Sequence, residues 1–316
     1  MTIIIDRNHN KNPSNYNNTK MVAIVNLTPD SFSDGGSYNN LANAVKRVNR
    51  LLGEGAKIID IGAESTRPNA VKISSEEEWQ RLKDILPELI NIVKKYNQHH
   101  NFSDDDKVLV SLDSYHFDNL QQGFNLGIDI FNDVGGLEDK RIIDFIANHN
   151  IKTILMHNQK IDPNPDLIIN PHFDITKKII DWANNKINYL ESCKVKKSQL
   201  IFDPGIGFNK DAFQSIKILK EIAEYKAIGL PIYVGHSRKS FLDMINIDIA
   251  DNNDDEEEND DNNQSDNQDK IKNINIEKLK QREYKTFLIS KFLARQGVDY
   301  IRVHNVKDNL NFIHLD

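Results

Sequence analysis

Met21-Val22-Ala23-Ile24-Val25 is followed without a break by Asn26-Leu27-Thr28-Pro29-Asp30-Ser31-Phe32-Ser33-Asp34-Gly35-Gly36. The first five residues form a continuous apolar run, which reads as a strand buried on both faces. The next eleven carry an amide, two carboxylates, three hydroxyls and one aromatic ring. From Leu41 to Leu52 apolar residues recur at helical spacing. A buried strand, a long polar loop and an amphipathic helix make one βα unit with its loop at the carboxyl end of the strand. That end is where α/β proteins place their chemistry. Connection alone needs only a few residues, so this loop is longer than the chain path requires.

The same unit repeats outward along the chain. Apolar runs occur at 56–62, 108–112, 128–131, 152–156, 199–202, 231–234 and 298–303. Helical patterns separate them, beginning near Ser75 and covering Phe117–Leu126, Arg141–Asn148, Phe173–Leu190, Phe213–Ala227 and Ile276–Gln296. Eight strands alternating with helices point to a single (β/α)8 TIM barrel of the α/β class, with a doubly wound open sheet as the alternative. Such a barrel takes ~250 residues, and the 316 residues of this chain supply them. Residues 1–20 read as an extension with a short strand at Thr2–Asp6 and an Asn-rich linker, and residues 21–316 as the barrel. A low-complexity acidic insert at 248–274 interrupts the connection between the last two strands.

That insert dominates the charge. Residues 251–270 hold ten Asp or Glu, one Lys and no apolar side chain, a net −9 against −7 for the whole chain. The rest is therefore close to neutral, which argues against nucleic-acid binding. The insert has nothing to bury and is expected to be disordered. Cys193 is the single cysteine, so no internal disulfide forms. No run of 18 apolar residues is long enough to span a bilayer. Residues 1–20 have neither the apolar core of a signal peptide nor the Arg-rich character of a transit peptide. A cytoplasmic protein is expected.

Polar residues gather at the strand ends. Asn26, Arg67, Asp113, Asn132, Asp203, Lys239, Arg302 and His304 each lie at or just past the end of an apolar run, and in a barrel those ends form one mouth. Asp113, Asn132 and Asp203 are acceptors suited to a planar heterocycle with several N–H groups. Lys239 is placed to donate to the same ring, and Met156 and Phe208 to cover its faces. Arg67, Arg302 and His304, with Ser237 and Arg238 near a helix start, make an anion site. Gly205-Ile206-Gly207 lacks the third glycine of a dinucleotide fingerprint, and no His or Cys set has zinc spacing.

Taken with the loop quoted first, Glu64–Pro68, Asp113, Phe131–Gly136, Asp203–Phe208, Ser237–Ser240 and Arg302–His304 resemble the motifs of the dihydropteroate synthase family, in the family's order. The resemblance covers nearly the whole chain from Met21. It implies a transferase that condenses 6-hydroxymethyl-7,8-dihydropterin pyrophosphate with p-aminobenzoate. In that reading Asp113, Asn132, Met156, Asp203, Phe208 and Lys239 bind the pterin, and Arg67, Arg302 and His304 the pyrophosphate. Asn26 reaches the pyrophosphate through Mg2+, the implied cofactor and metal site. Phe32, Thr66, Pro68 and Ser237 frame the p-aminobenzoate pocket, where sulfonamides act as mimics in the family. Asp34, Lys239 and Asn26 are the implied catalytic residues, Asp34 lying close to the cation that develops at the pterin methylene. The family's late helices imply a homodimer. Alternatives on the same barrel are a methyltetrahydrofolate–corrinoid methyltransferase and a non-catalytic pterin-binding protein. The chain departs from the family at Asn305, at Asn158-Gln159-Lys160 and in its short end after Val306.

Overall fold

A computed structural model describes residues 2–5, 18–28, 37–66, 70–158, 168–170, 172–249 and 267–315. Its core is an eight-stranded parallel sheet of β2 (Lys20–Asn26), β3 (Ile58–Gly62), β4 (Leu109–Asp113), β5 (Ile130–Asp133), β6 (Lys152–Met156), β7 (Leu200–Asp203), β8 (Tyr233–Val234) and β10 (Tyr300–Val303). The strands run in chain order around the sheet, β10 lying between β2 and β8. A parallel bridge from Phe202 to Ile232 joins β7 to the segment leading into β8 and closes the ring. The barrel expected from the alternating runs is present, and the open sheet is excluded.

Alternation along each strand divides the core in two. Val22, Ile58, Ile130, Ile154, Ile201 and Tyr233 pack together inside the barrel. Met21, Ala23, Val25, Ile59, Ile61 and Leu112, on the opposite face of their strands, face the surrounding helices in a second cluster. Register then sets the mouth: Asn26 lies beside Gly62, Gly62 beside Asp113, and Asp113 beside Asn132. Four consecutive strands thus deliver residues from their carboxyl ends at one level.

The helices α1 (Ser37–Gly53), α2 (Ser75–Leu82), α3 (Leu86–His100), α4 (Phe117–Leu126), α5 (Lys140–Asn148), α6 (Ile175–Ser192), α7 (Ala212–Lys220), α8 (Asn267–Arg295) and α9 (Val306–His314) follow the strands. Several start on side-chain caps that satisfy otherwise unpaired N–H groups: Ser74, Asp139, Asp174 and Asp211 each accept from the first turn. No helix among the described residues is long and apolar enough to cross a membrane.

Two local expectations change. The helix expected over Phe213–Ala227 stops at Lys220 and continues as 3-10 turns over Ile222–Ile228. The helix expected from Ser240 is one 3-10 segment, Ser240–Met244, and the chain then enters a strand, β9 (Asn246–Ile249). β9 pairs in parallel with β1 (Thr2–Ile5), so the expected N-terminal strand exists and its partner is non-local. Of the acidic segment expected over 248–274, β9 covers the first two residues and α8 begins at Asn267; residues 250–266 lie outside the described residues. Lastly, the short end forms a nine-residue helix, α9. Asn305 caps it: its Oδ1 accepts from the Asp308 N–H at 3.2 Å and its Nδ2 donates to the Asp308 carboxylate at 2.6 Å. This gives the departure at Asn305 a local structural role.

Candidate functional site

The mouth holds two linked polar groups. In the first, Arg302 reaches across the barrel from β10. Its Nε donates to Asp60 at 2.6 Å and its Nη2 to Asp113 at 2.6 Å, while Asn132 Nδ2 lies 3.3 and 3.2 Å from the two Asp60 oxygens. Asp60 is wholly buried and Asn132 nearly so. Burial pushes the Asp113 pKa up to about 7, against the pull of Arg302 and with a push from Asp60. Burial alone would lower the Arg302 pKa, but Asp60 and Asp113 outweigh it and hold the guanidinium charged.

The second group surrounds the loop after β7. Asp203 Oδ1 accepts from the Gly205 N–H at 2.7 Å. Burial raises the Asp203 pKa, opposed by that N–H and by Lys239. Lys239 Nζ donates to the Ile206 carbonyl and sits 4.6 Å from the centre of the Phe208 ring. Desolvation brings the Lys239 pKa down to about 8, with Asp203 resisting. Beneath the loop, buried Lys210 gives its Nζ to three carbonyls, His157 at 3.2 Å, Gly205 at 2.9 Å and Phe208 at 2.9 Å. Its pKa falls to about 7 through burial, which Asp203 partly offsets. Met156, at the end of β6, is buried beside this loop and pairs in register with Asp203.

Next to both groups, Ser237 Oγ lies 2.9 Å from His304 Nδ1 and accepts from the His304 N–H at 3.3 Å. Arg47 of α1 donates to the His304 carbonyl at 2.5 Å, and the Arg238 guanidinium pairs with Glu283. Asn26, the last residue of β2, and Thr66, four residues past β3, stand half-buried.

The structure thus brings together Asp113, Asn132, Asp203, Phe208, Met156, Lys239, Arg302, Ser237 and His304 from the ends and loops of six strands. Phe32, Asp34, Arg67 and Pro68 lie outside the described residues. Two residues of the site, Asp60 and Lys210, were not singled out in the sequence. Asp60 carries a signal of its own, a carboxylate in the middle of the apolar run Ile58–Ile61, because a buried charge demands a partner. Lys210 carries none; only the folded loop shows its three carbonyls.

The loop leading to Thr66 has its own anchor. Glu64 accepts from Tyr115 at 2.8 Å and from the Ile73 N–H at 3.3 Å, and pairs with His116 Nε2 at 3.1 Å. Burial would raise the Glu64 pKa, but the bonds from His116, Tyr115 and Ile73 outweigh it and lower it. The bond to Glu64 raises His116. The sign follows for each group. Glu64, lowered on folding, contributes stability above its ordinary 4.5, lost as pH falls through its folded value. His116, raised on folding, contributes below its ordinary 6.5, lost as pH rises through its folded value. The pair should stabilise most between those two limits. Glu64→Gln is expected to cost about 1–2 kcal/mol near pH 5.5 and less at pH 8.5. Thermal melts at the two pH values measure this, and an equal loss at both would refute the charged pair.

The sequence and the barrel both have counterparts among known proteins. A family model described as pterin binding enzyme matches residues 22–304. The dihydropteroate synthase of Streptococcus pyogenes is 30% identical over 297 residues, covering 94% of each chain. A crystal structure of dihydropteroate synthase from Anaplasma phagocytophilum with bound 6-hydroxymethylpterin-monophosphate is 33% identical, with TM-score 0.74 over 94% of this chain and 97% of that one. The Yersinia pestis dihydropteroate synthase in complex with a sulfonamide drug is 27% identical, with TM-score 0.72 over 94% and 93%. Similarity on this scale, end to end and on the same barrel, decides the family: the chain belongs to the pterin-binding enzymes and, among them, to the dihydropteroate synthases, transferases of folate biosynthesis.

Proposed function

We propose that the barrel mouth condenses 6-hydroxymethyl-7,8-dihydropterin pyrophosphate with p-aminobenzoate to give 7,8-dihydropteroate and pyrophosphate. The observation that carries the assignment is the convergence of Asp113, Asn132 and Asp203, three acceptors from β4, β5 and β7, with Lys239 and Arg302 as the cations between them. Such a set matches the N–H-rich edge of a pterin at one end and an anion at the other. Met156 and Phe208 supply the apolar walls.

Each described residue then has a task. Asp203 and Asn132 accept pterin N–H groups. Lys239, already resting on the Phe208 face, donates to the ring and borders the arylamine pocket with Ser237 and Thr66. His304, held by Ser237, and Arg302 face the leaving pyrophosphate with Arg67. Asp34 and Phe32 of the first loop and Pro68 of the second lie outside the described residues; the reading assigns Asp34 to the pterin methylene and Phe32 and Pro68 to the arylamine. The methylene C–O bond breaks as pyrophosphate departs, the cation left at the methylene is stabilised by the surrounding charges, and the arylamine nitrogen attacks it and releases a proton to solvent. Catalysis by this chain is then positioning and charge stabilisation.

Among the described residues no cluster of three or more His, Cys, Asp or Glu is arranged to hold a metal ion. Asn26 presents one hard amide oxygen at the mouth, the kind of single protein ligand that suits Mg2+ arriving on phosphate oxygens. When bound, Mg2+ would neutralise charge on the departing pyrophosphate. The reading further includes a cytoplasmic location and a homodimer. Ile276, Leu279 and Tyr284 on α8 and Leu315 after α9 leave apolar side chains exposed, which supports the dimer.

The test is direct. The protein mixed with dihydropterin pyrophosphate, p-aminobenzoate and Mg2+ should release pyrophosphate and form dihydropteroate in equal amounts, read by chromatography. Pterin binding without product would favour a non-catalytic pterin-binding protein.

A further inference from the structure

Asp60 occupies the centre of the site without facing its opening. It lies one alternation below the strand ends, on β3, with no exposed surface. Two residues from opposite sides of the barrel end on it: Arg302 Nε at 2.6 Å and Asn132 Nδ2 at 3.2 and 3.3 Å. Both contacts constrain what the partner offers elsewhere. An amide has a donor branch and an acceptor branch, and which is which depends on its neighbours. A carboxylate paired to a guanidinium is an acceptor only, so Asn132 must turn its nitrogen to Asp60 and keep its oxygen for whatever enters the mouth. Arg302 is fixed in a similar way. Its Nε and Nη2 are taken by Asp60 and Asp113, and Nη1 has no partner among the described residues.

We propose that Asp60 is a positioning residue that sets the polarity of the site, fixing Asn132 as an acceptor toward the ring and Arg302 as a donor toward the anion. The proposal rests on the pterin reading above and deepens it: selection of an N–H-rich ring edge originates in a side chain that does not touch the ring. Asn132 alone could present either branch. Over Asp60 it presents one.

Reversing the polarity of the pair tests this. In Asp60→Asn the new amide can donate, so Asn132 is free to turn its nitrogen outward, and Arg302 loses a counter-charge. Affinity for 6-hydroxymethylpterin monophosphate, measured by calorimetry on protein shown folded by circular dichroism, should fall about tenfold or more. Asn132→Asp alone sets two carboxylates against each other and should lose at least as much. The double variant Asp60→Asn/Asn132→Asp restores a donor facing an acceptor and leaves an acceptor for the ring. It should recover most of the loss, a result that a merely structural role for Asp60 does not produce. If Asp60→Asn folds poorly, Asn132→Asp against the double variant makes the same comparison.

Wild-type affinity in Asp60→Asn, or a double variant no better than Asn132→Asp, overturns the inference. An equal loss for the pterin and for p-aminobenzoate in Asp60→Asn also overturns it, since that marks general damage. Failure of the unaltered chain to bind the pterin at all would instead remove the proposed function, and this inference with it.

Discussion

Replacing Lys239 with alanine is expected to lower kcat/KM for dihydropterin pyrophosphate by about 10²- to 10³-fold, the usual cost of deleting a preorganised charge aimed at the reacting centre. Lys239 is the cation nearest the Asp203 side of the pocket, bonded to the Ile206 carbonyl and resting on the Phe208 ring. Its removal leaves the Asp203 carboxylate buried with less compensation, and Asp203 is already pushed toward its neutral form by burial. Donation to the pterin and a wall of the arylamine pocket disappear together. Asp203→Ala should be similarly damaging. The charge has a pH signature: the Lys239 pKa lies near 8, so the ammonium form is lost as pH rises through that value. Activity of the unaltered enzyme should decline on that limb. Lys239→Arg, if it retains measurable turnover, should carry the decline to higher pH because a guanidinium keeps its proton. Steady-state kinetics on variants of normal melting temperature measure all of this. A Lys239→Ala enzyme within a few-fold of wild type would remove Lys239 from the site.

The second large effect is on stability. Gly205 has φ +67°, and a Cβ added there would stand 2.1 Å from the His157 carbonyl oxygen. The obstacle is backbone, fixed by β6 on one side and by the His157 N–H bond to the Asp203 carbonyl on the other. It cannot swing aside as a flexible side chain would. Gly205→Ala is therefore expected to cost about 3 kcal/mol or more, from left-handed strain and overlap together. A drop in melting temperature of roughly 5 °C or more follows. The loop also carries the Gly205 N–H that Asp203 accepts and two of the three carbonyls held by Lys210. Pterin affinity should fall along with stability. A melting curve that superimposes on wild type would show that the loop has another conformation of equal energy.

Much of the site was legible in the sequence because a barrel converts chain position into space. Each parallel strand must end at the same mouth, so a polar residue at the end of an apolar run is assigned to the site before any coordinate is known. Asp113, Asn132, Asp203, Lys239, Arg302 and His304 were reached in that way. The order of motifs was enough to suggest the family, and the count of alternating runs the fold, since both depend on local pattern alone.

Other features depend on which side chains meet across the barrel, and no local pattern encodes that. Arg302 read as an anion-binding residue; the fold shows two of its donors committed to Asp60 and Asp113, from strands far away in the chain. Asp60 lay hidden in a buried strand because its partners are 242 and 72 residues distant. Lys210 carries no sequence signal because the carbonyls that hold it come from two places, His157 after β6 and Gly205 and Phe208 after β7. β9 was missed because its partner is the first strand of the chain. The sequence by itself determined the barrel, the ends of its strands and the types of polar group at the mouth, because period-2 burial and parallel connection are local consequences of residue order. Only the tertiary structure decided which of those groups are already paired and which way each one points, because hydrogen-bond partnership is a contact between distant residues and an amide or a guanidinium takes its direction from its partner.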